Sequence, residues 1–301
     1  MVAYPCFDPF IPSLPLYKPK PTVVTVHDLI PIVFPEHFPR GIRGGLVWYM
    51  QRWSLLGARR IIADSVCTKA DVTTCTGIPQ KQIDVIPLAA AAHFIPDSDP
   101  QAHKRIRKKY ALPAHYIVYV GDINWNKNIP GLLQAWRIYT QKKINPKITS
   151  LVLVGRAFLE PATRESRHID ALIASYGLRE RVVRVGHVPT VDLPLLYTMA
   201  TATIVPSLYE GFGLPVLEAM ASGSIVAVSD LSSLPEISGP AVKIDATNPD
   251  LVADALVTIA GYSHKTRETL IKKGLLWVET FTWKKVAAET ILSYEKALEP
   301  V

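Results

Sequence analysis

The chain has 301 residues, enough to bury one or two hydrophobic cores. Apolar residues make up 49% and charged residues 20%, which excludes disorder over most of the length. A formal net charge of +7 favours anionic partners (nucleotides, lipid phosphates, an acidic membrane surface or nucleic acid) without choosing among them. The three cysteines, Cys6, Cys67 and Cys75, have no metal-ligand spacing and read as reduced thiols of a cytosolic protein. There is no signal peptide and no apolar run of about 18 residues, so the expectation is a soluble protein, at most peripheral on a membrane.

Residues 1–20 carry five prolines and read as an extended loop. Thr22 to Val26 is a β-branched run that reads as a buried parallel strand, ending at His27 and Asp28. In open α/β sheets that carboxyl end is where ligands bind, although Asp28 reads better as a turn or cap residue. Ile42 to Leu56 is helix-like, with Leu46, Tyr49, Met50 and Trp53 spaced as a core-facing stripe. Arg40, Arg43, Arg52, Arg59 and Arg60 surround it, either as a solvated face or as one that attracts an anionic lipid or acceptor. Arg60 to Asp64 is a short strand, Ser65 caps the following helix and need do nothing else, and Ile83 to Pro87 is a further strand.

Residues 96–112 read as a linker with a basic helix. Asp97 and Asp99 form a D-x-D there, but no strand precedes it, so it is rejected as a metal site. Tyr116 to Val120 is a strand, Gly121 turns the chain, and Lys127 lies in the loop before the next helix, a phosphate-binding order of elements. Lys127 would supply a point charge for a diphosphate. Strands follow at 151–155 and 182–189, with a helix over 161–176 between them. His187, in the turn Gly186-His187-Val188, reads as a turn residue rather than a catalyst.

Residues 201–223 are the most informative stretch. They read as an apolar strand, the tight loop of Glu210, Gly211, Phe212 and Gly213, and a helix begun by Leu214 and Pro215 and stopped at Gly223. Such a loop aims backbone N–H groups and a helix dipole at phosphate or sugar oxygens. Glu210 and Glu218 could then face one pocket and accept hydrogen bonds from sugar hydroxyls. Residues 224–230 form another strand, and helices follow at 249–261, 264–276 and 282–299, the last with the stripe Trp283, Val286, Ala287, Ile291 and Tyr294. The repeated strand–helix alternation means doubly wound α/β, twice over.

The run PSLYEGFGLPVLEAMASG, continued by a β-like segment and SDLSSLPE, closely resembles the nucleotide-sugar-binding half of retaining GT-B glycosyltransferases of the family 4 class (glycosyl transferases group 1). The segments VTVHDL and VG-x5-KN resemble further motifs of that family. The resemblance implies two Rossmann-like domains facing a cleft. The N-terminal acceptor-side domain covers 1–95, 96–112 is the linker, 113–281 binds the donor, and the helix within 282–301 packs back on the first. It implies that Glu218 holds the ribose and that Lys127 binds the donor diphosphate at the Gly121 turn. Glu210, with the N–H groups of Gly211, Phe212, Gly213 and Leu214, holds the transferred sugar. The base lies against the backbone of Gly186, His187 and Val188, and His27 lies beside the sugar and the acceptor. Many members carry arginine where this chain has Asp122, which leaves one phosphate contact in doubt.

The implied activity is retaining hexosyl transfer from GDP-mannose or UDP-glucose to a glycan or lipid-linked acceptor in cell-envelope polysaccharide synthesis. His27, Lys127 and Glu210 carry the catalysis. No metal or other cofactor and no nucleic-acid partner is expected. The expected location is cytoplasmic, with peripheral contact at the inner face of an anionic membrane as a further option. The strands that open the N-terminal domain in the family are not recognisable, so the chain reads as starting within that domain. It would then be an abbreviated enzyme, an incomplete gene product, or a protein completed by a partner. The alternatives are a donor-binding protein without turnover and a GT-B phosphorylase or epimerase. No G-x-G-x-x-G follows a strand, which argues against a dehydrogenase.

Overall fold

The computed structural model describes residues 1–142, 148–159 and 163–300. The chain divides into two units. Unit 1 comprises Met1–Ala89, Glu210–Phe212 and Phe281–Val301, and unit 2 comprises Ala90–Tyr209 and Gly213–Thr280.

Unit 1 holds a four-stranded parallel sheet of β1 (Val2–Tyr4), β2 (Thr22–Val26), β3 (Arg60–Ala63) and β4 (Ile83–Val85), in that order. The middle strands are short apolar runs buried on both faces, as parallel sheets covered by helices require. Val24, Val26, Ile61 and Ala63 pack with Leu55, Val72 and Ile83 on one face. On the other, Val23, Ile62 and Ile86 pack against Ala297 of the Trp283–Leu298 helix, with Val286 and Tyr294 beside them. Of the stripe read from spacing, Val286 and Tyr294 face the sheet, while Trp283 and Ile291 are exposed.

The loop reading of residues 1–20 also changes, because Val2–Tyr4 pairs with Thr22–Val24 as β1. Three residues ahead of a proline-rich stretch are too few for a period to show.

The largest correction concerns the Gly41–Leu56 helix. Leu46, Tyr49, Met50 and Trp53 are not core: they are 62%, 57%, 42% and 54% exposed. The buried face carries Gln51, Ser54 and Leu55. Its partner is the proline-rich segment before β2, whose backbone groups have no ladder to join and need side-chain partners. The Gln51 carboxamide oxygen accepts from Ser13 N, Ser13 Oγ and Leu14 N, each at 3.0 Å, and its Nε2 donates to Leu14 O at 3.2 Å. The Ser54 hydroxyl donates to Pro15 O at 2.6 Å. The loop's demand for hydrogen bonds therefore puts polar side chains inside and leaves the apolar stripe outside.

Unit 2 holds a six-stranded parallel sheet of β5 (Tyr116–Val120), β6 (Ser150–Val154), β7 (Val182–Val185), β8 (Ala202–Val205), β9 (Val226–Ser229) and β10 (Val242–Ile244). The order is β10-β9-β8-β5-β6-β7. The chain winds outward from β5 through β6 to β7, then returns to place β8 on the other side of β5. This is the doubly wound Rossmann order, and the switch point lies between the carboxyl ends of β5 and β8. Trp136, Tyr139, Leu132 and Leu133 of the Ile129–Gln141 helix fill the core on one face, with Val252 and Leu256 of the Pro249–Gly261 helix. Within 96–112, the helix Pro100–Lys109 belongs to unit 2, is capped by Asp99 through Gln101 N, and fully buries Ile106.

Gln51→Ala is expected to destabilise the protein by about 2 kcal/mol, because buried donors of the 13–14 segment lose their acceptor. Urea unfolding checks this, and an unchanged midpoint would remove Gln51 from the packing account.

Candidate active site

In unit 2 the switch point is flanked by two loops. The first follows β5, where a short 3-10 turn at Trp125–Lys127 ends at Asn128 in the left-handed region (φ +55°). The second follows β8 and leads into the Leu214–Ala221 helix. Two asparagines that the sequence reading passed over tie these loops together. Asn126 Nδ2 donates to Tyr209 O at 3.0 Å, and Leu208 N donates to Asn126 O at 2.7 Å. Asn128 Nδ2 donates to Pro206 O at 3.2 Å and to Ala246 O at 2.8 Å. Lys127, half-buried, sits between these two anchors, so its backbone is fixed on both sides. Their signal was in the sequence as N-x-N around the lysine, since Asn tolerates the left-handed conformation and can bond backbone on both edges.

The helix after β8 starts at Gly213, whose φ of +102° favours glycine. A Cβ there would lie 2.6 Å from Leu234 Cδ2, so space demands glycine as well. Leu214 is the first helical residue, and the helix points its N-terminal dipole back along the loop.

Glu218 lies on this helix, half-buried, with its pKa pushed up by burial. Tyr197, fully buried, donates to Glu218 Oε2 at a long 3.4 Å. One long bond leaves a buried carboxylate with acceptor capacity for hydroxyl groups.

A cavity of about 510 Å³ opens beside the ends of β5, β6 and β7. Its walls include Gly121, Asp122, Arg156, His187 and Val188. The structure thus brings Gly121, His187 and Val188 to one concavity. Gly186 packs against Leu159, where a Cβ would come within 2.8 Å of Leu159 Cδ1. Asp122 turns its carboxylate to its own loop, accepting from Ile123 N at 2.7 Å.

Unit 1 contains His27, Glu210, Gly211 and Phe212. His27 follows β2, and its Nδ1 lies 2.7 Å from Asp64 Oδ2 at the end of β3. Its Nε2 lies 3.1 Å from Pro5 O. A carbonyl oxygen only accepts, so Nε2 carries a proton. The Asp64 hydrogen bond is the main cause of a pKa raised above the ordinary histidine value, since the carboxylate beside Nδ1 favours the charged ring. Asp64 is 2% exposed, and its Oδ1 finds no hydrogen-bond partner among the described residues.

Gly211 lies against His27. A Cβ on Gly211 would be 2.3 Å from His27 O and 2.8 Å from Asp28 Cβ. Its carbonyl accepts from Ser65 Oγ at 2.6 Å and from Thr68 Oγ1 at 3.0 Å. Ser65 does cap its helix, accepting from Thr68 N at 2.9 Å. It also has the second task that the capping reading denied it: its hydroxyl hydrogen goes to Gly211 O, 146 positions away. Glu210 and Phe212 on either side of Gly211 are both buried.

Comparison with known proteins follows the same division of the chain. The family described as Glycosyl transferases group 1 matches residues 102–277, and Glycosyltransferase Family 4 matches residues 5–90. The chain is 31% identical over 279 residues to O-antigen chain mannosyltransferase B of Escherichia coli, covering 91% of this chain and 70% of that protein. It is 31% identical to the serotype-specific mannosyltransferase WbdA of Escherichia coli, over 77% of this chain but only 28% of that longer protein. Among solved structures, Anabaena Alr3699/HepE in complex with UDP and glucose superposes with a TM-score of 0.73 at 19% identity, over 91% of this chain and 70% of that one.

Two outcomes follow from the geometry. The His27 ring should titrate above 6.5 by NMR, and Asp64→Asn should lower that value. A group whose folded pKa is raised stabilises the fold fully below its unfolded pKa, and that contribution is lost as pH rises through the folded pKa. A wild-type His27 titrating at or below 6.5 would contradict the stabilising Asp64 contact. Gly211→Ala should destabilise the protein by about 1–3 kcal/mol through the backbone clash with His27, read by thermal unfolding.

Proposed function

Because the chain belongs to the glycosyl transferases group 1 family and has the GT-B type of fold, we propose that this glycosyltransferase moves a hexose from a nucleotide-sugar donor to a glycan or lipid-linked acceptor, with retention of configuration. Mannose from GDP-mannose is the first donor to try, since two similar proteins are named mannosyltransferases, and glucose from UDP-glucose is the second. The observation that carries this reading is the pair of loops at the β5/β8 switch point, joined through Asn126 and Asn128.

Departure of the nucleoside diphosphate concentrates negative charge on its phosphate oxygens. Lys127 supplies a cation there, and the Leu214–Ala221 helix supplies the positive end of its dipole. Fixed groups of this kind act without reorganising as the charge develops. A protein cation and a helix N-terminus do the work a metal ion would do, so the proposed reaction needs none. Glu218 accepts from the ribose hydroxyls, which replace the hydration its carboxylate has lost. The base lies against the Gly186-His187-Val188 turn, whose His187 and Val188 line the cavity beside β7. Glu210 accepts from hydroxyls of the hexose. His27, with Nδ1 engaged by Asp64 and Nε2 by Pro5 O, acts as a hydrogen-bonding group beside the sugar and not as a general base. Same-face attack by the acceptor hydroxyl breaks the C1–O bond to the diphosphate and forms the new glycosidic bond. The acceptor's proton passes to the departing phosphate oxygen.

The test is transfer from each donor to a mannose-terminated oligosaccharide, with the product anomer read by NMR. Glu218→Ala should weaken donor binding by about 1–3 kcal/mol. Lys127→Ala should lower turnover by about a hundredfold while changing donor affinity less. A chelator should leave turnover unchanged. An inverted product would refute retention, and full activity of Lys127→Ala would remove that residue from the chemistry.

A further inference from the structure

The apolar stripe of the Gly41–Leu56 helix faces outward, and its composition says what covers it. Ile42, Leu46, Tyr49, Trp53 and Leu56 are all exposed. They stand at i, i+4, i+7, i+11 and i+14, which at 3.6 residues per turn confines them to an arc of about 80°. A helix of 16 residues makes this a continuous apolar strip about 24 Å long. The inner face carries buried Leu55 and the Gln51 and Ser54 hydrogen bonds, so the strip cannot rotate inward without breaking them.

The charge around the strip is mainly basic. From His37 to Ala63 the chain holds Arg40, Arg43, Arg52, Arg59 and Arg60 and no Asp or Glu, with Arg60 paired to Asp84 of β4. Arg43 and Arg52 flank the strip on opposite sides of the helix, about 60° and 40° beyond its edges. Arg40 and Arg43 are exposed, while the Arg52 head donates to Cys75 O and Thr76 O. The segment packed along this helix adds exposed Leu16 and Tyr17 with Lys20. The acids bordering this surface are Asp8, which caps its own turn through Phe10 N and Ile11 N, and Glu36, beside His37.

An aromatic and aliphatic strip framed mainly by basic side chains matches the interface of an anionic bilayer. There Trp and Tyr lie at headgroup depth and arginines meet lipid phosphates. A protein partner would have to bring its own acidic frame, and a second copy of this helix would set arginine against arginine. No helix among the described residues is long and apolar enough to cross a membrane, so the contact is one that lies on the surface. We infer that the exposed face of the Gly41–Leu56 helix is a peripheral docking surface for anionic membrane. The inference uses neither the donor residues nor the proposed reaction.

The test is co-sedimentation of the full chain with vesicles of phosphatidylcholine alone and of phosphatidylcholine with phosphatidylglycerol, at low and high salt. Binding to the anionic vesicles only, weakened by salt, is the expected result. The L46S/W53S double variant should lose at least tenfold in vesicle affinity, and Arg43→Glu should lose binding as well. Both variants should keep wild-type unfolding midpoints and donor titrations, since neither position is among the proposed donor contacts. Absence of binding to anionic vesicles overturns the inference, as does binding that L46S/W53S leaves intact. Concentration-dependent self-association, abolished by L46S/W53S and not accompanied by vesicle binding, overturns it too and assigns the strip to a second copy.

Discussion

A single peptide group fixes the carboxyl ends of β2 and β3 in unit 1. Gly211 approaches His27 so closely that no side chain fits, and its carbonyl takes hydrogen bonds from Ser65 and Thr68 at the start of the helix after β3. Two hydroxyl donors on one buried carbonyl leave little rotational freedom to the residues on either side, Glu210 and Phe212. The positions of Glu210 and of the His27 backbone are therefore set by the same few atoms. In unit 2 the corresponding constraint is carried by Asn126 and Asn128, which fasten the Lys127 turn to the residues after β8. Both are ties between loops at strand ends. A rigid parallel sheet with loops pinned to one another can hold a reactive arrangement without help from the loops' own packing.

His27 in unit 1 and Glu218 in unit 2 are shifted by opposite physics. His27 gains a partner, and the Asp64 carboxylate favours its charged form. Glu218 loses water, and burial disfavours its charged form, with Tyr197 giving only a small return. One shift favours the charged form of its group and the other the neutral form.

Much of unit 2 was legible because its strands are unbroken apolar runs and its loops carry glycine and proline where backbone geometry needs them. The strand at 116–120, the Lys127 loop, Gly213 and the helix carrying Glu218 all stand where pattern put them. The three-residue strands β1 and β10 left no period to detect. Spacing found the Leu46, Tyr49 and Trp53 stripe but not its direction, because a helix pattern marks a face without saying which side is inside. Here the hydrogen-bond needs of a proline-rich loop decided it, against the usual preference. Asp64, Ser65 and Thr68 were invisible as site residues, since their partners lie far away along the chain and local reading assigns a serine there to capping alone.

The central claim is that this chain binds a nucleotide sugar through Lys127, Glu218 and the glycine loop. The most direct measurement is calorimetric titration of the purified chain with GDP-mannose, UDP-glucose and the free diphosphates. The account predicts saturable binding of a nucleotide sugar, with the diphosphate competing and the Glu218→Ala chain binding it more weakly. A folded chain that binds none of them would contradict it.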